Sequence, residues 1–363
     1  MTQPSYIKEL DGLRAIAILL VLVWHYFLGQ TTPDTITPEV WLGLSWTWSG
    51  VDLFFVLSGF LITRILLNFK GSPNYFKTFY ARRLLRIFPP YYLLLIVYVL
   101  LVAAGITRYI PALLSSPIPI YSYFLYIQNI YMVWDGFGAG WMSVTWSLAV
   151  EEQFYLLFPL VIYYVNSRHL PKIFIVGILL APIFRACIGS YGAYVLLPSR
   201  MDALLAGALI AYYYASGHIT RLLTQHRRFL WLFTLLMFLV MIVSLFKDNG
   251  NRTGGILSHT TYLLLYSSLL VTILVNEGTS TTRFFTNKVL GYIGKISYSV
   301  YLFHQIFIMA FYPLFLNEHI PWLRNVQSVW VTLAALAATF VSASLSYYLI
   351  ERPLQKYGRK FNY

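Results

Sequence analysis

His25 stands eleven positions after Arg14, and the ten residues between them, AIAILLVLVW, are all apolar. Eleven steps of about 100° return a helix to nearly the same face, about 16 Å further along its axis. A guanidinium at one depth and an imidazole at another would then line one channel. Imidazole is the side chain whose ordinary pKa suits proton transfer near neutral pH. The same ring could instead be a packed residue bonded to a backbone carbonyl. Carboxylates interrupt two further apolar stretches. Asp52 lies near the start of GVDLFFVLSGFLIT (50–63), where it serves either chemistry or the N-terminus of a helix, which favours acids. Glu151 and Glu152 fall inside WSLAVEEQFYLLFP (146–159). Being consecutive they point about 100° apart on a helix; they do different jobs, or pair with a neighbouring Arg. Charges inside apolar helices are costly and point to function by default.

These groups need a membrane-grade scaffold, and the composition supplies one. The chain has 363 residues, 58% hydrophobic and 11% charged, with mean hydropathy +0.65. A soluble domain carries about a quarter charged residues, so an integral, all-α polytopic membrane protein is expected. Stretches of roughly 17–25 apolar residues span a bilayer as helices. About ten are present: 13–30, 47–67, 88–105, 143–165, 171–188, 199–216, 229–246, 256–275, 290–315 and 326–349. The short, proline-led stretch 117–133 is expected to be re-entrant or interfacial. With ten spans and both termini in the cytoplasm, all but six of the 26 Lys and Arg fall on the inner side. The six are Arg108, Arg185, Arg200, Lys247, Arg252 and Arg324. That asymmetry is the positive-inside rule. It makes the formal charge of +13 mostly a matter of orientation, with no nucleic-acid partner implied. One cysteine, Cys187, rules out an intrachain disulfide, and no metal-ligand spacing appears, so no metal is expected.

In this topology His25, Asp52, Glu151 and Glu152 lie in the outer half, and Arg14 lies at the inner face. So does the segment NYFKTFYARRLLRIFPPYY (74–92), expected as an interfacial amphipathic helix that stops at Pro89-Pro90. Arg83 and Arg86, three apart, share a helical face. Their guanidiniums would grip a phosphate bidentately or contact anionic membrane lipids. A ligand bridging both levels would be anionic at its cytoplasmic end and reactive some 15 Å or more away. Secondary candidates are Arg200 and Asp202, for binding an acceptor or pairing, and His304, for function or helix–helix hydrogen bonding.

The ordered set of motifs resembles the acyltransferase-3 family of integral membrane acyltransferases. It is carried by ELDGLRAIAILLVLVWHY, GVDLFFVLSGFLIT, Arg83-x-x-Arg86, WSLAVEEQFYLLFP, SRMDALLAGALIA, SYSVYLFHQ and YYLIERPL, in that order along the chain. The resemblance implies acyl transfer from cytoplasmic acyl-CoA, usually acetyl-CoA, to a hydroxyl of an extracytoplasmic carbohydrate or lipid-linked sugar. It places the protein in a bacterial cytoplasmic (inner) membrane. Residues 1–350 form one acyltransferase-3-like membrane domain in this reading. Residues 351–363 form a short basic cytoplasmic tail, with no appended soluble domain expected. Arg14, Arg83 and Arg86 would hold the coenzyme A phosphates, and His25 would be the general base on the acceptor hydroxyl. Glu151 is the preferred carboxylate partner of that ring and Asp52 the alternative. Glu152, Arg200, Asp202 and His304 are left to substrate binding. A direct acyl-His intermediate stays open, as does a homo-oligomer. The rival from another class is a transporter or flippase for a lipid-linked sugar, which ten spans and buried acids would serve equally well.

Overall fold

The computed structural model describes residues 5–31, 36–247 and 256–363; Arg252 lies outside them. Among the described residues there is no strand. Ten long helices fall where the apolar stretches predict them: α1 Glu9–Tyr26, α2 Gly50–Asn68, α3 Tyr75–Ala103, α4 Thr145–Tyr164, α5 Leu170–Ile188, α6 Leu197–Ala215, α7 Arg227–Lys247, α8 Ile256–Val275, α9 Lys288–Leu316 and α10 Val326–Ser346. Nine stretches among the described residues are long and apolar enough to cross a membrane. The helix left out is α4, 20 residues long, whose apolar run is diluted by Glu151, Glu152 and Gln153. The protein is an integral membrane protein of all-α class.

One expectation is corrected and another is made specific. The helix predicted to stop at Pro89-Pro90 continues through both prolines, so α3 runs unbroken over 29 residues. The prolines remove the N–H groups that would bond the carbonyls of Leu85 and Arg86. Membrane helices tolerate such gaps where neighbours supply polar partners, and beside this gap the Tyr298 hydroxyl donates to the Ile87 carbonyl at 2.7 Å. The 117–133 stretch forms two short helices, Ile120–Phe124 and Gln128–Asp135. They are joined through Tyr126, whose φ of 55° is left-handed. It does not cross as a span.

The chain forms two compact units. The first comprises Met1–Leu20, Leu42–Ser72 and Gln153–Lys295. Its centre is the contact of α2 with α6, where Gly59 faces the backbone of Leu204 and Gly207 faces the backbone of Val56 and Phe60. A Cβ at either glycine would fall on a carbonyl oxygen. Small residues allow this approach in a membrane, where close packing replaces the missing hydrophobic drive. Gly207→Ala is therefore expected to destabilise by about 1–3 kcal/mol, read as a lowered melting temperature in detergent; an unchanged value would mean the helices can part freely. Opposite helix faces show the solvent change directly. Along α7, Leu232, Leu235, Leu239 and Val243 are more than half exposed, a stripe at helical spacing suited to lipid. Thr234 and Ser244, on the buried face, bond Thr272 and Thr261 of α8 at 2.9 and 3.1 Å.

The second unit comprises Val21–Trp41, Pro73–Glu152 and Ile296–Tyr363. Here α10 begins with a capping box, Asn325 Oδ1 accepting the Ser328 N–H at 2.8 Å and Ser328 Oγ accepting the Asn325 N–H at 3.1 Å. Past α10 the helix widens into a π turn over Tyr347–Glu351. That turn aims the buried Glu351 carboxylate at the Ser299 hydroxyl. The chain then folds back on α3: Arg82 donates to the Phe361 carbonyl at 2.7 Å and Thr78 to that of Asn362 at 2.8 Å.

Candidate active site

The second unit holds His25 in the last turn of α1. Glu9 and Asp11 open that helix and His25 closes it, each sign at the end the helix dipole favours. The His25 ring is half-buried, and its Nδ1 lies 2.9 Å from the Val21 carbonyl, one turn earlier. A carbonyl only accepts, so Nδ1 carries the hydrogen and Nε2 keeps its lone pair. The backbone here is clamped. Gln30 Nε2 donates to the His25 carbonyl at 2.6 Å, while the Gln30 carbonyl accepts from Leu323 N–H at 2.8 Å. The next residue, Tyr26, donates its hydroxyl to the His304 carbonyl and bonds Thr339 Oγ1, both at 2.7 Å.

These bonds bring α9 against the end of α1 and set two histidines ring to ring. His304 is fully buried, its ring centroid 4.8 Å from that of His25 and the planes at 62°. Tyr301, one turn earlier, bonds Ser147 at 2.7 Å. Ser147 precedes Glu151 by one turn of α4, so the WSLAVEEQFY and SYSVYLFHQ motifs meet side by side. Glu151 and Glu152 are both half-buried, and Glu152 lies within electrostatic reach of Glu151 and Arg83. Its Oε1 is shielded from solvent with no hydrogen-bond partner among the described residues. Arg83 and Arg86 are half-buried on α3, with the Arg83 guanidinium over the Phe79 ring at 5.8 Å.

The first unit holds the other candidates. Arg14 sits half-buried on α1, eleven positions before His25 on one continuous helix. Asp52, in the first turn of α2, is buried and accepts from Arg200 Nη2 at 2.6 Å. Arg200 also meets His259, whose Nδ1 is 3.9 Å from Asp52. Asp202 pairs instead with Arg185 at 2.8 Å. So Arg200 and Asp202 do pair, each with a different partner. Trp48 closes over His259 at 5.5 Å, near-perpendicular. Sequence reasoning passed over His259; a lone imidazole near the start of an apolar helix was the signal available for it.

Removing one partner of a buried ion pair leaves an uncompensated charge, which costs about 3–5 kcal/mol. Asp52→Asn is expected to lower the melting temperature strongly, since Arg200 would stay buried among Phe55, Tyr194 and His259. A variant as stable as the parent would show that this cluster is not structural. No group of three or more His, Cys, Asp or Glu able to hold a metal occurs among the described residues.

Residues 7–348 match the family model described as an acyltransferase domain. The chain belongs to that family. This acyltransferase domain is 28% identical over 380 residues to the O-acetyltransferase OatA of Staphylococcus aureus, covering 99% of the chain and 59% of the relative. It is 28% identical over 383 residues to the peptidoglycan O-acetyltransferase OatA of Listeria monocytogenes, covering 98% and 56%. A putative O-acetyltransferase of Staphylococcus aureus is 29% identical over 373 residues, covering 98% and 58%. The chain thus spans somewhat under three fifths of the length of these relatives. No solved structure matches it. Membership in an acyltransferase family favours an enzyme over a transporter.

Proposed function

We propose that the protein is a membrane O-acetyltransferase, moving an acetyl group from acetyl-CoA to a hydroxyl of an extracytoplasmic carbohydrate, with His25 as general base. The observation that carries this reading is the His25 imidazole itself. Its Nδ1–H is bonded to the Val21 carbonyl, which makes Nε2 the basic nitrogen of the neutral ring, and Arg14 lies eleven positions back on the same helix. The relatives' names, O-acetyltransferase and peptidoglycan O-acetyltransferase, support the group transferred and the class of acceptor.

In this mechanism Nε2 of His25 takes the proton of the acceptor hydroxyl as its oxygen attacks the thioester carbonyl. The tetrahedral intermediate collapses with cleavage of the C–S bond. The imidazolium returns its proton to the departing thiolate, leaving an O-acetyl ester and free coenzyme A. Glu151 is assigned the carboxylate that stabilises the imidazolium electrostatically, while Val21 fixes the tautomer. Asp52, held by Arg200 and His259, maintains the packing of α2, α6 and α8. Arg14, Arg83 and Arg86 bind the coenzyme A phosphates by charge-assisted hydrogen bonds. With both termini cytoplasmic, those arginines face the pool of acetyl-CoA and His25 lies nearer the opposite surface. Residues 1–350 act as one membrane domain, and residues 351–363, whose Phe361 and Asn362 carbonyls accept from α3, are its short cytoplasmic tail.

The test uses protein reconstituted in sealed vesicles with glycan strands enclosed and isotopically labelled acetyl-CoA added outside. Label should reach the enclosed glycan as a base-labile ester only in vesicles whose cytoplasmic face is outward. Label appearing only when donor and glycan share one compartment would overturn the transmembrane arrangement.

A further inference from the structure

Four helices of the first unit end in one cluster. Asp52 stands in the first turn of α2 and Arg185 in the last turn of α5. Ser199 and Arg200 fall in the first turn of α6, and His259 in that of α8. Ion pairs tie Asp52 to Arg200 and Asp202 to Arg185. Two short segments add aromatic rings: Trp48 comes from Ser45–Ser49 and Tyr194 from Ser190–Val195. The Trp48 ring stands 5.5 Å from those of Tyr194 and His259 and 5.2 Å from that of Tyr262. Four buried side chains here keep polar atoms with no hydrogen-bond partner among the described residues. They are Trp48 Nε1, Asp52 Oδ2, Ser199 Oγ, and both Nε and Nη2 of Arg185. Buried polar groups are normally paired, so several unpaired ones in a single cluster need a reason.

The unpaired atoms are of both kinds. The indole and the guanidinium only donate, the ion-paired carboxylate only accepts, and the Ser199 hydroxyl does either. Arg185 has given Nη1 to Asp202 at 2.8 Å and to the Ser199 carbonyl at 2.6 Å, which leaves the other two nitrogens of its fork. Charge narrows what could meet this set. Each arginine already has its aspartate, so an ionic ligand would bring a buried charge that the cluster does not balance. An anion would also meet the Asp52 oxygen, and a cation the Arg185 fork. Hydroxyls are neutral and both donate and accept. Aromatic walls with a few placed polar groups are the usual make-up of a small-molecule site. A sugar ring, with hydroxyls at its rim and C–H groups on its faces, matches both parts. We propose that this cluster is a subsite for one sugar residue of the acceptor glycan. Its hydroxyls accept from Trp48 Nε1–H and the Arg185 fork and donate to Asp52 Oδ2, and Ser199 bonds a neighbouring oxygen. The sugar enters by parting the two short segments that carry Trp48 and Tyr194. In the topology proposed above these helix ends face away from the cytoplasm. The subsite presupposes the acceptor of that proposal, an extracytoplasmic carbohydrate.

Ser199→Ala separates this role from packing by the sign of its effects. Deleting a buried hydroxyl that nothing satisfies should leave the free protein as stable as the parent, or more so. The same deletion should weaken glycan binding about three- to tenfold, the worth of one neutral hydrogen bond. The full chain in detergent is heated with and without a soluble, neutral N-acetylhexosamine tetrasaccharide, and acetyl transfer to that sugar from acetyl-CoA is followed alongside. The tetrasaccharide should raise the parent's melting temperature, and Ser199→Ala should need about three- to tenfold more of it for the same rise. KM for the tetrasaccharide should rise by the same factor, with kcat and KM for acetyl-CoA within about twofold of the parent's. Trp48→Phe, which keeps an aromatic ring and removes the N–H, should weaken the glycan in the same way. Either variant binding the tetrasaccharide as the parent does overturns the proposal. So does a Ser199→Ala protein less stable than the parent when free, which would show a hydroxyl satisfied within the fold. A KM raised for acetyl-CoA instead, or a parent whose melting temperature the tetrasaccharide leaves unmoved, also overturns it. If the parent binds the sugar but transfers nothing to it, the proposed reaction has failed. The thermal shift needs no turnover and still decides the subsite.

Discussion

His25→Ala is expected to lower the rate of acetyl transfer by about 10²–10⁴-fold, the range that a positioned general base supplies. The loss should fall on kcat, since a base acts as the hydroxyl attacks and contributes little to holding acetyl-CoA. Folding should survive. The Tyr26 bonds to His304 and Thr339 and the Gln30 bond to the backbone of residue 25 use no atom of the imidazole. A steady-state comparison of kcat and KM with a thermal-stability control reads this directly. A variant that keeps parental kcat would remove His25 from the chemistry and leave its ring as packing for α9.

The second large effect concerns the donor. Replacing Arg83 and Arg86 together by Gln should weaken acetyl-CoA binding by about 100-fold or more. Each hydrogen bond to a charged group is worth roughly 1.5–3 kcal/mol, and about 1.4 kcal/mol is tenfold. The expected signature is the opposite of that at His25: KM for acetyl-CoA rises while kcat at saturating donor changes little. The alternative job for these residues, contact with anionic lipid, gives a different result. In that case donor affinity would be unchanged, and the variant's activity would depend on the lipid composition of the vesicle. Arg82 is a poor candidate for the same role, because its guanidinium is already given to the Phe361 carbonyl.

The fold was legible because membrane helices announce themselves by length and apolarity, and each of the ten predicted stretches corresponds to one long helix. What the pattern misjudged was continuity. Pro89-Pro90 ends a helix in water, but in this membrane helix α3 passes through it, with the Tyr298 hydroxyl bonded to the Ile87 carbonyl beside the gap. The same pattern undersold α4, whose Glu151, Glu152 and Gln153 lower its apolarity although its two ends are ordinary span. Of the candidate site, the spacing from Arg14 to His25 is a property of one helix and could be read from the chain. Pairings between helices could not. Arg200 was visible as a charge in a span, yet its partners Asp52 and His259 lie 148 and 59 positions away. His304 was visible as a polar residue following Tyr301, but its place beside His25 depends on the Tyr26 hydroxyl reaching across 278 positions. The orienting group of His25 was sought among carboxylates; the bond found at Nδ1 is to the Val21 carbonyl, which every residue carries and no sequence pattern can single out.

The most direct test of the central claim follows the acetyl group itself. Purified protein is incubated with carbonyl-labelled acetyl-CoA and defined glycan fragments, and products are resolved by mass spectrometry before and after mild alkali. A glycan heavier by one labelled acetyl group, sensitive to alkali and absent with His25→Ala, is the predicted result. Parental protein that binds acetyl-CoA yet leaves every fragment unmodified, or a His25→Ala variant that labels them as well as the parent, would contradict it.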